Sequence, residues 1–358
     1  AMEGVQLYSI GVHLWGPRGE QRKVFMVGEG ADQDWVQAVP SQRAALEAFL
    51  AWLVAEDPDV LIGWNVINFD LWYLQRVADA EGMQLTMGRS ASPVHWRSLD
   101  DEGERRTVKL PGRVVLDGIE LLRAAFYRFE SFSLENVARE ILGEGKLLHG
   151  SDRGGEITEL FLADKTRLAD YNLKDCELVS DIFRETGLLD FAIARSAMTG
   201  LNMDRLGGSV ASFDNLYLPR LHREGFVAPN APSEPPDSPG GFVLDSTPGI
   251  YDHVLVLDFK SLYPSIIRTF HIDPIGLALG VAGELEEADT VPGFRGGRFA
   301  REGHILPDLI ASLWQQRDAA KADDDQPLSQ AIKIIMNSFY GVLGSPGCRF
   351  FDTRLASS

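Results

Sequence analysis

Apolar and polar positions alternate over Val5-Gln6-Leu7-Tyr8-Ser9-Ile10-Gly11-Val12 and predict a strand, with Lys23-Val24-Phe25-Met26-Val27 as a partner for it. Ser41 opens a helix that sets Leu46, Phe49, Leu50 and Leu53 on one face and stops before Pro58. Val60-Leu61-Ile62 is a short buried strand. Asn68 or Asp70 starts a further helix, with Leu71, Leu74 and Val77 inward and Gly82 at its end. Val114-Val115-Leu116 is another strand, and Asp117 caps the helix behind it. From there to about residue 190 the pattern is helical, over 133–142, 156–163 and 164–185. Strands alternating with helices predict an α/β layer on a mixed sheet.

The stretch 228–241 carries five prolines and two glycines, cannot hold a helix, and reads as an extended connector with a domain junction inside it. Beyond it the pattern predicts strands around 242–244 and 253–257, a helix from Pro264, and a loose stretch over 280–303. Two helices come next, roughly 307–321 and 327–341, split by Ala322-Asp323-Asp324-Asp325-Gln326-Pro327. No repeat of 20–50 residues occurs.

At 358 residues the chain is too long for one ordinary core, so two or more domains are expected. Its 45% hydrophobic and 9% aromatic content is that of a globular protein. Cys176 and Cys348 stand far apart with no CxxC pair, which predicts a reducing compartment and neither a disulfide framework nor a zinc site. No apolar stretch reaches the ~20 residues that span a bilayer. The net charge of −18 argues against a polyanionic partner. Clustered carboxylates are also what divalent-metal chemistry needs, so the charge does not exclude it.

Four segments carry candidate chemistry. Gly63-Trp64-Asn65-Val66-Ile67-Asn68-Phe69-Asp70 puts an acid just past a strand, where a helix cap is the ordinary reading. Tyr171-Asn172-Leu173-Lys174-Asp175 stacks a phenol and a carboxylate at i, i+4, which alone suits a solvated face. Together, Asp70 and Asp175 can hold metal ions while Tyr171 aligns a water for attack on phosphorus. Asp258-Phe259-Lys260-Ser261-Leu262-Tyr263-Pro264-Ser265-Ile266-Ile267 comes after the apolar run Val254-Leu255-Val256-Leu257, an acid at a strand end beside a tyrosine-bearing turn. Pro264 fits an ordinary helix start, but that reading leaves the rest of the run unexplained. In Lys333-Ile334-Ile335-Met336-Asn337-Ser338-Phe339-Tyr340-Gly341, Lys333, Asn337 and Tyr340 share a helical face. Arg317 and Lys321, i, i+4 on the preceding helix, make a surface pair or, with Lys333, a grip for a triphosphate.

These residues, in this order, resemble the family B DNA polymerases, and most closely the bacterial polymerase II branch. Asp258–Ile267 matches the first polymerase motif and Lys333–Gly341 the fingers motif. Asn65–Asp70 and Tyr171–Asp175 match the second and third motifs of a proofreading exonuclease. Tyr171–Val179, Gly207-Gly208-Ser209-Val210 and Gly341-Val342-Leu343-Gly344 extend the likeness. The resemblance implies a multidomain α/β and α+β fold: a ribonuclease-H-like 3′→5′ exonuclease domain over 1–190, a connector over 191–241, a partial palm over 242–303, fingers over 304–341, and a return to the palm over 342–358. It implies that Asp70 and Asp175 hold metal ions beside Tyr171. Asp258 and the Phe259 carbonyl would bind the polymerase metals, Mg2+ with Mn2+ admitted. Tyr263 would lie against the sugar and exclude a 2′-hydroxyl, with the backbone of Ser261 and Leu262 on the phosphates. Arg317, Lys321, Lys333 and Asn337 would grip the triphosphate, and Tyr340 and Gly341 would line the nascent base pair. The implied partners are primer-template DNA, deoxynucleoside triphosphates, a single-stranded 3′ end and, for a longer parent, a sliding clamp. The implied setting is the bacterial cytoplasm at the nucleoid, in replication and repair, with no membrane.

Departures from the family pattern shape a further expectation. The exonuclease Asp-x-Glu strand is expected upstream of Ala1-Met2-Glu3, which reads as the loop after it. The Asp-Thr-Asp hairpin and thumb are expected beyond residue 358, and an N-terminal domain is missing as well. Pro239-Gly240-Gly241-Phe242 resembles the family's glycine pair but lacks its leading tyrosine. Two-metal phosphoryl transfer needs several carboxylates, so these 358 residues alone are expected to synthesise nothing. Two alternatives stand beside this. A free-standing metal-dependent exonuclease would have no need of 258–267 and 333–341. A non-catalytic DNA-binding remnant would need a basic stripe that the chain lacks.

Overall fold

A computed structural model describes residues 6–101, 103–147, 153–233 and 244–358. The chain divides into two compact units, Ala1–Leu189 and Asp190–Ser358.

In the first unit β1 (Ser9–Gly16) and β2 (Gly19–Val27) form an antiparallel hairpin, and β3 (Val36–Val39) adds parallel to β2. Then come α1 (Gln42–Glu56), β4 (Val60–Gly63), a π-helical turn over Ile67–Leu71, and α2 (Trp72–Ala80). The strands β5 (His95–Ser98) and β6 (Arg106–Lys109) make a separate antiparallel pair. After β7 (Val114–Asp117), which runs parallel to β4, the chain is helical: α3 (Gly118–Ala124), α4 (Leu134–Leu142), α5 (Arg153–Ala163) and α6 (Lys165–Thr186). The predicted caps are present: the Ser41 side chain accepts from Ala44 N–H, and Asp117 accepts from Ile119 and Glu120 N–H. Phe25, Leu46, Phe49, Leu53, Leu74 and Val77 share one core, so the apolar face predicted for α1 is the buried one. Gly11 is required by close approach: a Cβ there would lie 2.5 Å from Asn172 Oδ1 and 3.2 Å from Cys176 Sγ, so only glycine lets α6 lie flat on β1.

The boundary between units falls in α7 (Leu188–Thr199). The second unit contains α8 (Ser209–Arg223), α9 (Leu262–Phe270), α10 (Pro274–Val281), the pair β8 (Thr290–Pro292) and β9 (Arg298–Ala300), α11 (Leu306–Ala322), α12 (Gln326–Leu343) and α13 (Thr353–Ser357). Its core joins Phe213 and Tyr217 of α8 to Leu309, Ile310 and Leu313 of α11 and to Ile335, Met336 and Phe339 of α12. Asp273, wholly buried, ties these helices together. It accepts from Tyr217 Oη (2.9 Å), Gly276 N–H (2.8 Å) and Leu306 N–H (2.7 Å).

Two expectations are corrected. The strand predicted over 253–257 does not form: the backbone is irregular, and Val254 to Leu257 are 65–89% exposed. A strand apolar on both faces needs neighbours on both edges, and no strand among the described residues pairs with it. Of the strand predicted at 242–244, only Leu244 is described, and it is irregular. The stretch 280–303, predicted loose, contains the β8–β9 pair. Helices α7 and α8 fall largely within 191–241. Residues Ala1-Met2-Glu3 and Pro239-Gly240-Gly241-Phe242 lie outside the described residues.

Candidate functional site

Strands β4 and β7 run side by side with Gly63 opposite Asp117, so both deliver the chain to the same end of the sheet. The segment leaving β4 does not start a helix in the ordinary way. Asn65 takes φ +57°, and Leu71 N–H reaches back five residues to Val66 C=O (2.8 Å), closing a π turn. Asp70 lies inside this turn and caps nothing, so the cap reading is wrong for it. Single π turns recur at functional sites because the extra residue re-aims a side chain.

Asp70 keeps access to solvent, while neighbouring protein atoms crowd its carboxyl. Its carboxyl pKa is pushed up to about 7, first by burial and then by the nearby charges of Asp117 and Asp175. A backbone hydrogen bond and Lys146 pull the other way. Asp117 is itself raised by burial, against hydrogen bonds from Glu120, Ile119 and Val66 N–H. Three acids from a strand end, a π turn and a helix therefore feel one another's charge.

Helix α6 supplies the other half of the cluster. Tyr171 and Asp175, one turn apart, both meet Lys146: its ammonium lies 3.4 Å from Tyr171 Oη and pairs closely with Asp175 Oδ2. Burial is also the first cause raising the Tyr171 pKa, ahead of the Asp175 charge. Asp175 Oδ1 is buried and has no hydrogen-bond partner among the described residues. Such an orphaned carboxylate oxygen is costly unless something cationic reaches it, and with Asp70 it fits one side of a divalent-metal site. Among the described residues, no cluster of three or more His, Cys, Asp or Glu is itself arranged to hold a metal.

Lys146 and Asp117 join the site without having been expected there. Nothing in Gly143-Glu144-Gly145-Lys146 marks a lysine that folds back onto α6. Asp117, by contrast, ends the run Val114-Val115-Leu116 just as Asp258 ends an apolar run, and that signal is present in the sequence. A third grouping resembles nucleophilic chemistry without supporting it. His13 Nδ1 lies 2.7 Å from Ser180 Oγ and its Nε2 meets Glu20, but Ser180 is 1% exposed and donates to Cys176 C=O. A hydroxyl so enclosed is structural.

In the second unit, α9, α11 and α12 pack together. Ser261 takes φ +54° and starts α9, which places Leu262 and Tyr263 in its first turn. Tyr263 stacks on Tyr340 of α12 with centroids 4.4 Å apart and planes within 3°. Lys333, Asn337 and Tyr340 line the less buried side of α12, opposite Ile332, Ile335, Met336 and Phe339. Arg317 Nε on α11 is buried and has no hydrogen-bond partner among the described residues, and Lys321 is exposed. Trp314, between them and the start of α11, has Lys260 and Arg268 over its ring. Asp258 and Phe259 are exposed on the irregular segment, with no hydrogen bond from either side chain among the described residues. The helical candidates are thus gathered, and Asp258 is not held.

A model of the exonuclease domain of DNA polymerase family B matches residues 13–137, and one of DNA polymerase family B matches 207–358. DNA polymerase II of Escherichia coli (strain K12) is 51% identical over 360 residues, covering 99% of this chain and 45% of that protein. The DNA polymerase of Thermococcus sp. (strain 9oN-7) is 27% identical, covering 91% of this chain and 43% of its own length. The solved family B DNA polymerase of Pyrobaculum calidifontis superposes with a TM-score of 0.70 at 24% identity, over 95% of this chain and 44% of that one, a likeness of fold. The chain thus spans somewhat under half the length of the relatives it matches. No helix among the described residues is long and apolar enough to cross a membrane.

Proposed function

Since the chain belongs to family B of the DNA polymerases, we propose that its first unit is a ribonuclease-H-like 3′→5′ proofreading exonuclease and its second a partial palm with helical fingers. The domain limits are proposed as 1–190, 191–241, 242–303, 304–341 and 342–358. The observation that carries the first half is the convergence of Asp70, Tyr171 and Asp175 around Lys146.

Divalent cations, Mg2+ or Mn2+, would supply the charge that stabilises the reacting phosphate. Asp70 and Asp175 would hold them on the exonuclease side, Asp258 and the Phe259 carbonyl on the polymerase side. Tyr171, with its hydroxyl held near the Lys146 ammonium, orients the water that attacks the terminal phosphodiester of a single-stranded 3′ end. In the second unit Tyr263 takes the sugar of the incoming deoxynucleotide, and its stack on Tyr340 sets the ring plane that excludes a 2′-hydroxyl. The Ser261 and Leu262 backbone meets the phosphates, and Arg317, Lys321, Lys333 and Asn337 grip the triphosphate. Primer-template DNA is the macromolecular substrate, a sliding clamp is a partner of the longer protein, and the setting is replication and repair at the bacterial nucleoid.

With Asp258 on an exposed irregular segment, the 358 residues alone are expected not to incorporate nucleotides. Grafting this chain onto E. coli DNA polymerase II in place of its matching segment gives the test. Asp258→Asn should abolish synthesis and spare 3′ trimming, and Asp70→Asn should do the reverse. Synthesis that survives Asp258→Asn refutes the polymerase assignment.

A further inference from the structure

We propose that the loop 126–132 is a stacking platform for the unpaired nucleotides of a single-stranded DNA end. The assignment rests on the exonuclease role proposed for the first unit. The loop joins α3 to α4 and carries Phe126, Tyr127, Phe129 and Phe132. Two of these residues reach solvent: Phe126 is 65% exposed, and Tyr127, partly covered by Phe129, is 39% exposed. Phe126 also holds φ +64°, a left-handed conformation that a bulky residue keeps only when its surroundings impose it.

The surroundings do impose it. Phe126 N–H donates to Arg123 C=O (3.0 Å) and Tyr127 N–H to Leu122 C=O (2.9 Å). Further along, Ser133 N–H donates to Ser131 Oγ (3.2 Å) and the Asn136 side-chain amide to Ser131 C=O (3.0 Å). The loop is therefore fastened at both ends while its rings face outward, and little order remains to be imposed on binding. Tyr127 and Phe129 lie parallel within 4°, and Phe129 meets Phe132 edge-on at 5.3 Å.

Placement and charge select the occupant. The Trp64 indole N–H donates to Phe132 C=O (2.8 Å), and Trp64 begins the segment that leads to Asp70. Gly118 makes this possible, because a Cβ there would lie 2.9 Å from the indole. The C-terminal end of the platform is thus tied through the Trp64 side chain to the segment that carries the candidate hydrolytic acid. Arg123 sits over the Phe132 ring at 4.8 Å, and Arg128 is exposed with no ion pair among the described residues. Glu120 engages Arg123 (3.2 Å) and Glu130 is exposed, so the loop carries no large positive field. Exposed rings with one uncommitted guanidinium suit bases stacked on aromatic faces, with a single phosphate held, better than they suit a duplex backbone.

The test is fluorescence anisotropy of a fluorescein-labelled oligothymidylate with the 358-residue chain in EDTA, so that neither metal nor hydrolysis enters. Phe126→Ala and Tyr127→Ala should each weaken binding about tenfold, and Tyr127→Trp should retain it. The slope of log K on log salt should be about −0.7, the value for one phosphate contact on a single strand. Phe126 is the more exposed ring, so Phe126→Ala should keep the parent's urea midpoint, while Tyr127→Trp keeps the stack on Phe129 that Tyr127→Ala loses. Unchanged affinity in both alanine variants, equal competition by duplex, or no binding by the parent overturns the proposal. Failure of the exonuclease reading looks different: ring-dependent binding would persist while magnesium-dependent trimming by the grafted polymerase survived Asp70→Asn.

Discussion

Replacing Lys146 with methionine keeps most of the side-chain volume but removes the ammonium that touches both Tyr171 and Asp175. The Lys146 side chain is 11% exposed and that of Asp175 24%, so their attraction is only partly screened. Unit charges in contact, ~3 Å apart, attract by roughly 5 kcal/mol at an effective dielectric constant of ~20. The desolvation of both groups offsets much of this, and the partial exposure of Asp175 more, leaving a net loss of about 1–3 kcal/mol in the variant. Six of the seven tryptophans precede residue 190, so urea denaturation monitored by intrinsic fluorescence reports chiefly on the affected unit. With the ammonium gone, the orphaned Asp175 Oδ1 and the carboxyl of Asp70 lack a countercharge. Magnesium should therefore stabilise Lys146→Met more than the parent, the variant gaining about 2.7 kcal/mol over magnesium-free buffer where the concentration is a hundredfold above its Kd. If the variant unfolds at the parent's urea midpoint and magnesium shifts both alike, the ammonium does not occupy a cation's place and the electrostatic account of the cluster is wrong.

Asp70 is pushed up to about 7 from its ordinary 3.8, so the folded chain keeps a proton that the unfolded chain releases between about pH 4 and 7. Stability should fall as pH rises through that window and level off above it, and Asp70→Asn should flatten the slope in urea midpoints measured across the range. Asp273→Ala strips three donors in a buried site of their acceptor and should cost the second unit about 3–5 kcal/mol, with Tyr217→Phe costing about 1–2, both read as urea midpoints from hydrogen exchange of the α11 and α12 amides. Equal midpoints for Asp273→Ala and the parent would show that those donors find water. Val256→Lys lies on the exposed irregular segment, so it should leave stability within ~0.5 kcal/mol of the parent while reducing self-association in light scattering; a larger loss would mean the segment is packed.

Much of the first unit was legible because its signals are local. Ser41 and Asp117 cap the helices their positions announced, and the apolar faces of α1 and α2 point where 3.6-residue periodicity put them. The long helix α6 was visible as a run, and the i, i+4 spacing of Tyr171 and Asp175 set both on one face. Two features were not legible. The π turn has no pattern of its own, since it is one residue inserted into a helix start. The approach of Lys146 to Asp175 spans 29 residues and depends on how α4 packs on α6, which no window of sequence contains.

Asp117 and Asp258 show where such reading stops. Each ends a run of apolar residues, Val114-Val115-Leu116 and Val254-Leu255-Val256-Leu257, and by composition the second is the stronger strand. Yet Val114–Asp117 pairs in register with Val60–Gly63, which buries Asp117 and presents three N–H groups to it. Val254–Leu257 pairs with no strand among the described residues, and Asp258 is left in water. A strand's hydrogen bonds are all made with other segments, so apolar content selects a place for it only where a neighbouring edge exists. The exposed run of 254–257 has no partner strand among the described residues, and ordering the carboxylate at 258 requires an edge to pair with that run. Any partner that protects the amides of 254–257 from hydrogen exchange should therefore also fix the carboxylate at 258.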